Sequence, residues 1–354
     1  MRLMEGISTY LKQAVESDCS DLFVAAGKAV TAKRGGAIIV LDKQVLTPEQ
    51  ASELINELYG MAERPTDRYL SRCDDDFSVS VPGLARFRVS TYRQRGTAAA
   101  VIRAVRFGIP DYREKGIPEE VISLADLTSG LVLVTGPADG GKSTTLACIT
   151  DAINHRRSAH IVTIEDPIEY LHRDDKSYIT QRELAVDTQS YAEALRASLR
   201  QSSDVIVLGE FEDEETIRLT MSAAESGHLV ISTVYTLGAV NSIDHIVDRF
   251  PPERRLAVQT RLSKVLKAVV SQQLLPKQGG GVVPAFEILL VEGAVQGMLR
   301  AGHTEQIDSV IRNFAMSGTV SMDDSILKLF RAGTISRETA LQYAMAGEQL
   351  KKRL

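Results

Sequence analysis

The chain has 354 residues, of which 44% are hydrophobic and 25% are charged, a balance typical of globular domains with buried cores. Its formal net charge of -5 argues against a general nucleic-acid-binding protein, because such proteins are usually strongly basic. No apolar run approaches the roughly 20 residues of a membrane span, and charges interrupt the N-terminal residues, so we expect neither a membrane anchor nor a signal peptide.

The three cysteines, Cys19, Cys73 and Cys148, are odd in number and far apart along the chain. Their spacing supports neither a disulfide framework nor a cysteine metal site. We interpret them as buried small side chains in a reducing compartment, and therefore expect a cytoplasmic protein.

The first third of the chain predicts an α/β domain. Thr-Pro-Glu-Gln at 47–50 is a helix-start signal, with Thr47 as the cap and proline in the first helical position. Residues 77–81 alternate in polarity before a Pro-Gly turn, which predicts a β-hairpin. The predicted elements are helix 7–16, strand 37–41, helix 47–59, strands 77–81 and 85–92, and strand 97–105.

A turn-rich and charged segment follows at 107–117, with several glycines and prolines. We interpret it as a linker that separates a domain over 1–106 from a second domain over 118–354. The alternative is a surface loop within one domain.

From residue 118 onward, short apolar runs alternate with segments of helical spacing. The runs lack strict polar alternation, as expected for strands of a parallel sheet that is covered on both faces. This βαβ pattern predicts an α/β fold, and the last sixty residues predict helices. The predicted strands are 131–134, 161–164, 205–208 and 229–232.

The strongest functional motif fits G-x-x-x-x-G-K-[ST] and lies between the first of these strands and a predicted helix at 143–154. Its glycines would let backbone N–H groups surround phosphate oxygens, Lys142 would reach the β- and γ-phosphates, and Ser143 would ligate Mg²⁺. The motif predicts a P-loop ATPase with a RecA-like core that takes ATP and Mg²⁺. Its candidate nucleotide-binding residues are Gly136, Pro137, Ala138, Asp139, Gly140, Gly141, Lys142, Ser143 and Thr144.

Acidic residues follow two of the later strands. Glu165 ends the run at 161–164, and Glu210 follows the run at 205–208 after a glycine. Carboxylates at the carboxyl ends of parallel strands point towards the ligand crevice, so both are candidates for the metal or for the attacking water. The alternative for each is a solvated surface acid.

Two further residue types are candidates for the chemistry. His228 precedes the strand at 229–232 and is either a catalytic group or a packed or capping residue. Arginines of the N-terminal hairpin and of the next strand could stabilise charge on a transferred phosphoryl group, although most surface arginines have no such role.

Long, ordered motifs along nearly the whole chain resemble the ATPase superfamily that drives type II secretion and type IV pili. They include DFSVSVPGLARFRV at 76–89, GLVLVTGP at 130–137 and TIEDPIE at 163–169. Within that superfamily, the absence of an extra N-terminal domain and of a tetracysteine zinc insertion resembles the branch that retracts pili.

The resemblance implies an N-terminal PAS-like domain, a RecA-like ATPase domain with a helical C-terminal end, and assembly into a homo-hexamer with ATP between the domains. It implies that Glu210 is the general base, that Glu165 is a second acid beside Mg²⁺, and that Arg88 and Arg103 reach the phosphates. His228 falls in the family's histidine motif.

The chain departs from the family pattern at several positions. Ala138-Asp139-Gly140 stands where the family usually has Thr-Gly-Ser, and Asp139 should weaken nucleotide binding unless its side chain faces solvent. Tyr235 replaces a second histidine, Phe23 replaces another, and residues 294–301 lack most of the charged pattern of the retraction branch.

The resulting hypothesis is a hexameric cytoplasmic motor at the inner face of the cytoplasmic membrane, whose ATP hydrolysis retracts a type IV pilus by acting on an inner-membrane platform protein. The alternative is a weakly hydrolysing regulatory subunit that joins a paralogous ATPase. We expect no nucleic-acid partner, because no stretch combines basic and aromatic residues.

Overall fold

The computed structural model describes residues 6–105, 108–313 and 318–354. The chain divides after Gly108 into two compact units, and the short stretch Glu169–Leu171 groups with the first unit. The predicted boundary at residue 106 and the first predicted linker residue, Phe107, lie outside the described residues. Further along that segment, Ile117 is buried in the hydrophobic core of the second unit.

The first unit is a six-stranded sheet in which every described strand pairing is antiparallel, in the order β3-β2-β1-β6-β5-β4. Its elements are α1 (Ile7–Glu16), β1 (Asp21–Ala25), β2 (Ala29–Arg34), β3 (Ala37–Val45), α2 (Pro48–Met61), α3 (Asp67–Arg72), β4 (Asp74–Val81), β5 (Ala85–Gln94) and β6 (Thr97–Val105). The two helices, the hairpin and the two further strands predicted for this region are confirmed.

Local sequence explains where α2 starts and which way it faces. The Thr47 side chain accepts a hydrogen bond from the Gln50 backbone N–H, the Gln50 side chain accepts one in return, and Pro48 occupies the first helical position. Leu54, Ile55 and Leu58 recur at helical spacing and are buried against the sheet. The predicted cap at Thr47 is confirmed.

Only one face of this sheet carries the core of the first unit. Phe87, Val89 and Ile102 are buried with the helices. Because side chains alternate along a strand, Arg88 and Arg103 project from the opposite face.

The second unit is a seven-stranded mixed sheet with the order β13-β12-β7-β11-β10-β8-β9, and β13 is its antiparallel strand. Its elements are α4 (Glu119–Ile122), a 3₁₀ turn (Ser123–Asp126), β7 (Gly130–Thr135), α5 (Lys142–Arg156), β8 (His160–Glu165), β9 (Tyr178–Glu183), α6 (Tyr191–Ser198), β10 (Val205–Leu208), α7 (Glu214–Glu225), β11 (Leu229–Val234), α8 (Ala239–Asp248), α9 (Pro252–Val265), β12 (Leu266–Pro276), β13 (Val282–Leu290), α10 (Gly293–Ala301), α11 (Thr304–Asn313), α12 (Met322–Arg331), α13 (Arg337–Gln342) and α14 (Gly347–Lys351).

Helices cover both faces of this sheet. Leu131 and Leu133 of β7 belong to the same buried cluster as Leu195 of α6, whereas Val132 of the same strand belongs to a second cluster with Ile149 of α5. Two-sided burial removes the need for polar alternation, which is why these strands appear in the sequence as uninterrupted apolar runs. The four strands predicted here and the helical C-terminal end are confirmed for the described residues.

The prediction for the cysteines holds at two of the three positions. Cys19 and Cys148 are buried, and burial raises the pKa of the Cys148 thiol to about 12. Cys73 is exposed, so its predicted burial was wrong. It ends α3 in a left-handed conformation with φ 66°, a surface turn that directs the chain into β4.

Candidate nucleotide site

The glycine-rich loop connects the carboxyl end of β7 with the amino end of α5. Gly136 has φ 146°, and a Cβ atom there would lie 2.1 Å from the backbone oxygen of Gln272. Gly141 precedes the helix with φ 85°. The loop therefore needs glycine at both places, and it leads into a helix N-terminus, where backbone N–H groups bind anions.

Lys142, the first residue of α5, is buried. Its ammonium donates to the backbone oxygens of Gly136 at 3.0 Å and Pro137 at 2.8 Å. The same nitrogen lies 4.0 Å from the centroid of the Tyr235 ring, within the range of a cation–π contact. The lysine is thus held beside the loop by contacts that satisfy its charge.

Gln272 of β12 holds the loop from the neighbouring strand. Its side-chain amide donates to the Gly140 backbone oxygen at 2.6 Å. Its amide oxygen is buried and has no hydrogen-bond partner among the described residues. A bound group or a water molecule beside the loop could donate a hydrogen bond to this oxygen.

Asp139 stands at the tip of the loop with φ 56°. Its side chain is exposed, as are those of Pro137 and Ala138. The sequence predicts that Asp139 weakens nucleotide binding unless its side chain faces solvent. Because the side chain is exposed, we expect no such weakening. Ser143 and Thr144 are half-buried in the first turn of α5.

Glu165 ends β8 at the same edge of the sheet as the loop. Its Oε1 atom accepts hydrogen bonds from the Thr163 hydroxyl at 2.6 Å and from the Gln181 side-chain amide at 3.2 Å. These donors hold the carboxylate in one orientation. Gln181 of β9 also accepts from the His172 backbone N–H at 2.9 Å, so it is itself held in place.

Glu210 follows β10 and lies near the end of β11. The Tyr235 hydroxyl donates to its Oε1 atom at 3.0 Å. The Thr233 hydroxyl donates to the backbone oxygen of Gly209, which anchors the residue before Glu210. Since β10 lies between β8 and β11, both carboxylates and Tyr235 lie at the edge that carries the loop.

Tyr191, the first residue of α6, places its hydroxyl next to Gly209 at this edge of the sheet. A Cβ atom at Gly209 would lie 2.8 Å from the Tyr191 hydroxyl and 3.4 Å from the Glu165 Cα atom. The hydroxyl is buried and has no hydrogen-bond partner within the described part of the chain. Burial, together with the nearby carboxylates of Glu210 and Asp166, raises the pKa of Tyr191, so the phenol keeps its proton.

His228 lies at the opposite edge of the sheet. It directly precedes β11, and its backbone oxygen accepts a hydrogen bond from the Gly130 N–H at the start of β7. The six residues of β11 separate it from Tyr235 by roughly 20 Å. Its Nδ1 atom lies 3.1 Å from both the Ala223 backbone oxygen and the Ser226 hydroxyl, which matches the packed or capping alternative.

Arg88 and Arg103 are paired neighbours on β5 and β6 in the first unit. The Arg103 Nε atom donates to Asp21 at 2.9 Å, and 65% of the Arg103 side chain is exposed. Like charges directly opposite each other on a sheet repel, and an anion would relieve that repulsion. The pair is suited to binding an anionic group.

The residues at the loop fit Mg²⁺ bound together with a nucleotide, but not a metal bound by the protein alone. Among the described residues, no cluster of three or more histidine, cysteine or carboxylate side chains could hold a metal ion. A hydroxyl and a few carboxylates, completed by phosphate oxygens and water, are the donors that Mg²⁺ prefers.

In the described ranges, no helix is long and apolar enough to cross a membrane.

The sequence did not reveal the part of two residues in this arrangement. Gln272 was noted only within a resemblance motif, and nothing in its spacing indicates that it bonds to the loop. Tyr191 has no sequence signal, because a tyrosine at a helix start is commonplace. Tyr235 was recognised as a departure from a family pattern, but its contacts with Lys142 and Glu210 are visible only in the structure.

A parallel sheet whose carboxyl edge carries a glycine-rich loop, a buried lysine and ordered carboxylates defines a nucleotide-binding α/β protein. The family described as "Type II/IV secretion system protein" matches residues 2–283. The chain belongs to this family.

Individual relatives match along almost the full chain. The type IV pilus retraction ATPase PilT of Pseudomonas aeruginosa is 38% identical over 342 residues, which cover 97% of this chain and 99% of that protein. The type IV pilus ATPase PilU of the same organism is 34% identical, with 96% and 89% covered. A crystal structure of the pilus retraction motor PilT with bound ADP superimposes with a TM-score of 0.91 at 38% identity, and covers 99% of this chain and 100% of that one.

Proposed function

We propose that this chain is the subunit of a hexameric, Mg²⁺-dependent P-loop ATPase that retracts a type IV pilus. The first unit would be the PAS-like domain and the second the RecA-like domain. The observation that carries the proposal is the buried Lys142 at the start of α5, beside a loop that needs glycine at positions 136 and 141 and on the same sheet edge as Glu165 and Glu210. The similarity to PilT supports the cellular role.

In the proposed reaction, water attacks the γ-phosphorus and the bond to the ADP oxygen breaks. Lys142 and the backbone N–H groups of the loop hold the phosphates, and Ser143 supplies its hydroxyl to Mg²⁺. The metal would neutralise charge on the β- and γ-phosphate oxygens. Glu210 would accept the proton of the attacking water, and Glu165 would help to hold Mg²⁺ through water.

Arg88 and Arg103 are proposed to offset negative charge on the transferred phosphoryl group. Their adjacent placement on one sheet face supports this role. We leave His228 out of the proposed chemistry, because its contacts lie at the amino edge of the sheet. We place the motor in the cytoplasm, peripheral to the membrane, with an inner-membrane platform protein of the pilus as its partner.

The test is steady-state ATP hydrolysis by the purified chain with Mg²⁺, at a concentration where sizing shows a hexamer. Lys142→Ala should abolish turnover, because it removes the charge at the phosphates. Glu210→Gln should bind ATP without hydrolysing it, and normal turnover by that variant would refute the assignment of the base. In the organism that encodes the chain, deletion of its gene should leave pili that extend and do not retract.

A second candidate is a regulatory subunit that binds nucleotide, hydrolyses little and joins a ring with an active paralogue. The departures at Tyr235 and 294–301 favour it, as does the similarity to PilU alongside PilT. Tight ATP binding without turnover in an intact hexamer of the chain alone would support this candidate. Rapid turnover would exclude it.

A further inference from the structure

We infer that Tyr235 is a positioning residue that couples the base to the phosphate loop: its hydroxyl orients Glu210 while its ring covers Lys142. This inference rests on the proposed ATP hydrolysis and deepens it. The tyrosine does not exchange a proton with the substrate. It acts on Glu210, which would accept the proton of the attacking water, and on Lys142, which would hold the phosphates.

Two contacts made by one side chain carry the inference. The hydroxyl donates to Glu210 Oε1 at 3.0 Å, and the ring centroid lies 4.0 Å from the Lys142 ammonium. Glu210 follows β10 and Lys142 begins the helix after β7. Because β11 lies between these two strands, a residue just past its end is within reach of both.

The chemistry of tyrosine matches both contacts. A phenol O–H donates one hydrogen bond to a carboxylate, and the electron-rich ring face attracts a cation. Phenylalanine would keep the ring contact and lose the donor. Histidine would keep a donor on a smaller ring.

The hydroxyl also leaves Glu210 able to act as a base. It bonds to Oε1, and no described residue donates a hydrogen bond to Oε2, which leaves that oxygen for a water molecule; the bond also restricts the orientation of the carboxylate before substrate binds. When water attacks, its proton passes to Glu210 and the Tyr235 proton stays on the phenol. A fixed carboxylate avoids the reorientation that a mobile side chain would need in the transition state.

Tyr191 restricts Gly209, the residue that precedes Glu210. Its buried hydroxyl fills the space next to Gly209, which leaves no room for a Cβ atom there. The residue before Glu210 is therefore restricted by one tyrosine, and the Glu210 side chain by the other.

The experiment compares Tyr235→Phe and Tyr235→His with the unchanged chain. We would measure kcat and KM for Mg²⁺-ATP, and separately the equilibrium affinity for a slowly hydrolysed ATP analogue. Tyr178→Phe is the control, because Tyr178 is exposed and lies at the start of β9, at the amino edge of the sheet. Melting temperatures of all variants show whether each is folded.

Tyr235→Phe should lower kcat about tenfold or more, as expected for losing a hydrogen bond to a charged group, with analogue affinity within about twofold of the unchanged chain. Tyr235→His should be faster than Tyr235→Phe by about twofold or more for a tenfold loss, because an imidazole N–H can also donate to Glu210.

The outcomes separate the inference from the proposed function. If the unchanged hexamer does not hydrolyse ATP, the proposed function fails and the inference falls with it. If it hydrolyses ATP and Tyr235→Phe matches Tyr178→Phe in kcat, only the inference is overturned. A loss of analogue affinity and of melting temperature in parallel with kcat would also overturn it, because that pattern indicates a structural role.

Discussion

Gly136→Ala tests whether the glycine-rich loop has room for a side chain at position 136. An added Cβ atom would lie 2.1 Å from the Gln272 backbone oxygen and 3.2 Å from its carbonyl carbon. These are backbone atoms of β12, which is paired with β7, so neither partner can move away without disturbing the sheet. The φ of 146° is also unfavourable for alanine. Strain of about 1–3 kcal/mol and overpacking of about 1–3 kcal/mol together predict a destabilisation of about 2–6 kcal/mol.

Thermal unfolding measures this effect, and the melting temperature should fall by about 5–20 °C for a unit of this size. Binding of an ATP analogue should weaken at the same time, because the backbone N–H groups of the loop lose their alignment. Gly297→Ala is the matched control: it lies inside α10, and a Cβ atom there meets nothing within 4 Å. The control should leave stability unchanged or raise it by up to about 1 kcal/mol. A melting temperature of Gly136→Ala equal to that of the control would refute the reasoning.

Three further substitutions test charges elsewhere in the fold. Buried Asp75 accepts hydrogen bonds from Arg64 at 2.8 and 2.9 Å and keeps Arg68 at 3.4 Å when Arg64 is removed. Arg64→Ala should therefore destabilise the first unit by about 1.5–3 kcal/mol in urea unfolding, and a loss below about 0.5 kcal/mol would contradict this. Burial raises the pKa of Glu287 above its usual 4.5. The stability that the protonated side chain contributes is therefore fully present below about pH 4.5 and is lost as pH rises through the pKa of the folded state. Glu287→Gln should remove this dependence and give a flatter profile of melting temperature against pH. Burial would raise the pKa of Asp21, but hydrogen bonds, one of them from Arg103, hold it below 3.8, so the pair adds stability that disappears as pH falls through the folded pKa. Because Arg103 is mostly exposed, Arg103→Ala should cost at most about 1 kcal/mol at neutral pH in urea unfolding, and a larger loss would show that the pair is more than a surface contact.

Local signals in the sequence were sufficient to predict the strand and the helix on either side of the glycine-rich loop. The strand, the glycines and the helix of the motif are consecutive, so β7 and α5 could be predicted within a few residues of their bounds. The hairpin of β12 and β13 was not predicted, because Ser271, Gln272 and Gln273 interrupt the apolar pattern of β12. The three glycines at 279–281 between two apolar runs are the turn signal that could have indicated it.

The contacts of the candidate site could not be predicted in the same way, because they join residues far apart along the chain. Gln272 bonds to Gly140 across 132 positions, and Tyr235 bonds to Glu210 across 25. Such pairs depend on strand order, which sequence periodicity does not encode. For His228, the residue type and the neighbouring strand could be recognised, but the edge of the sheet on which it lies depends on the direction of β11.

The hydrogen bond between Gln272 and Gly140 gives the loop a mechanical connection to the C-terminal helices. Gln272 lies on β12, whose next residue towards the N-terminus, Ser271, pairs with Glu287 of β13. Glu287 in turn accepts from the first backbone N–H groups of α8 and α12, with the Ala239 nitrogen at 2.7 Å. A shift of Gly140 must therefore either break that bond or bend the hairpin and displace two helix starts with it. The stiffness of the hairpin sets how much of a displacement at Gly140 reaches those two helix starts, so a softer hairpin would transmit less of it.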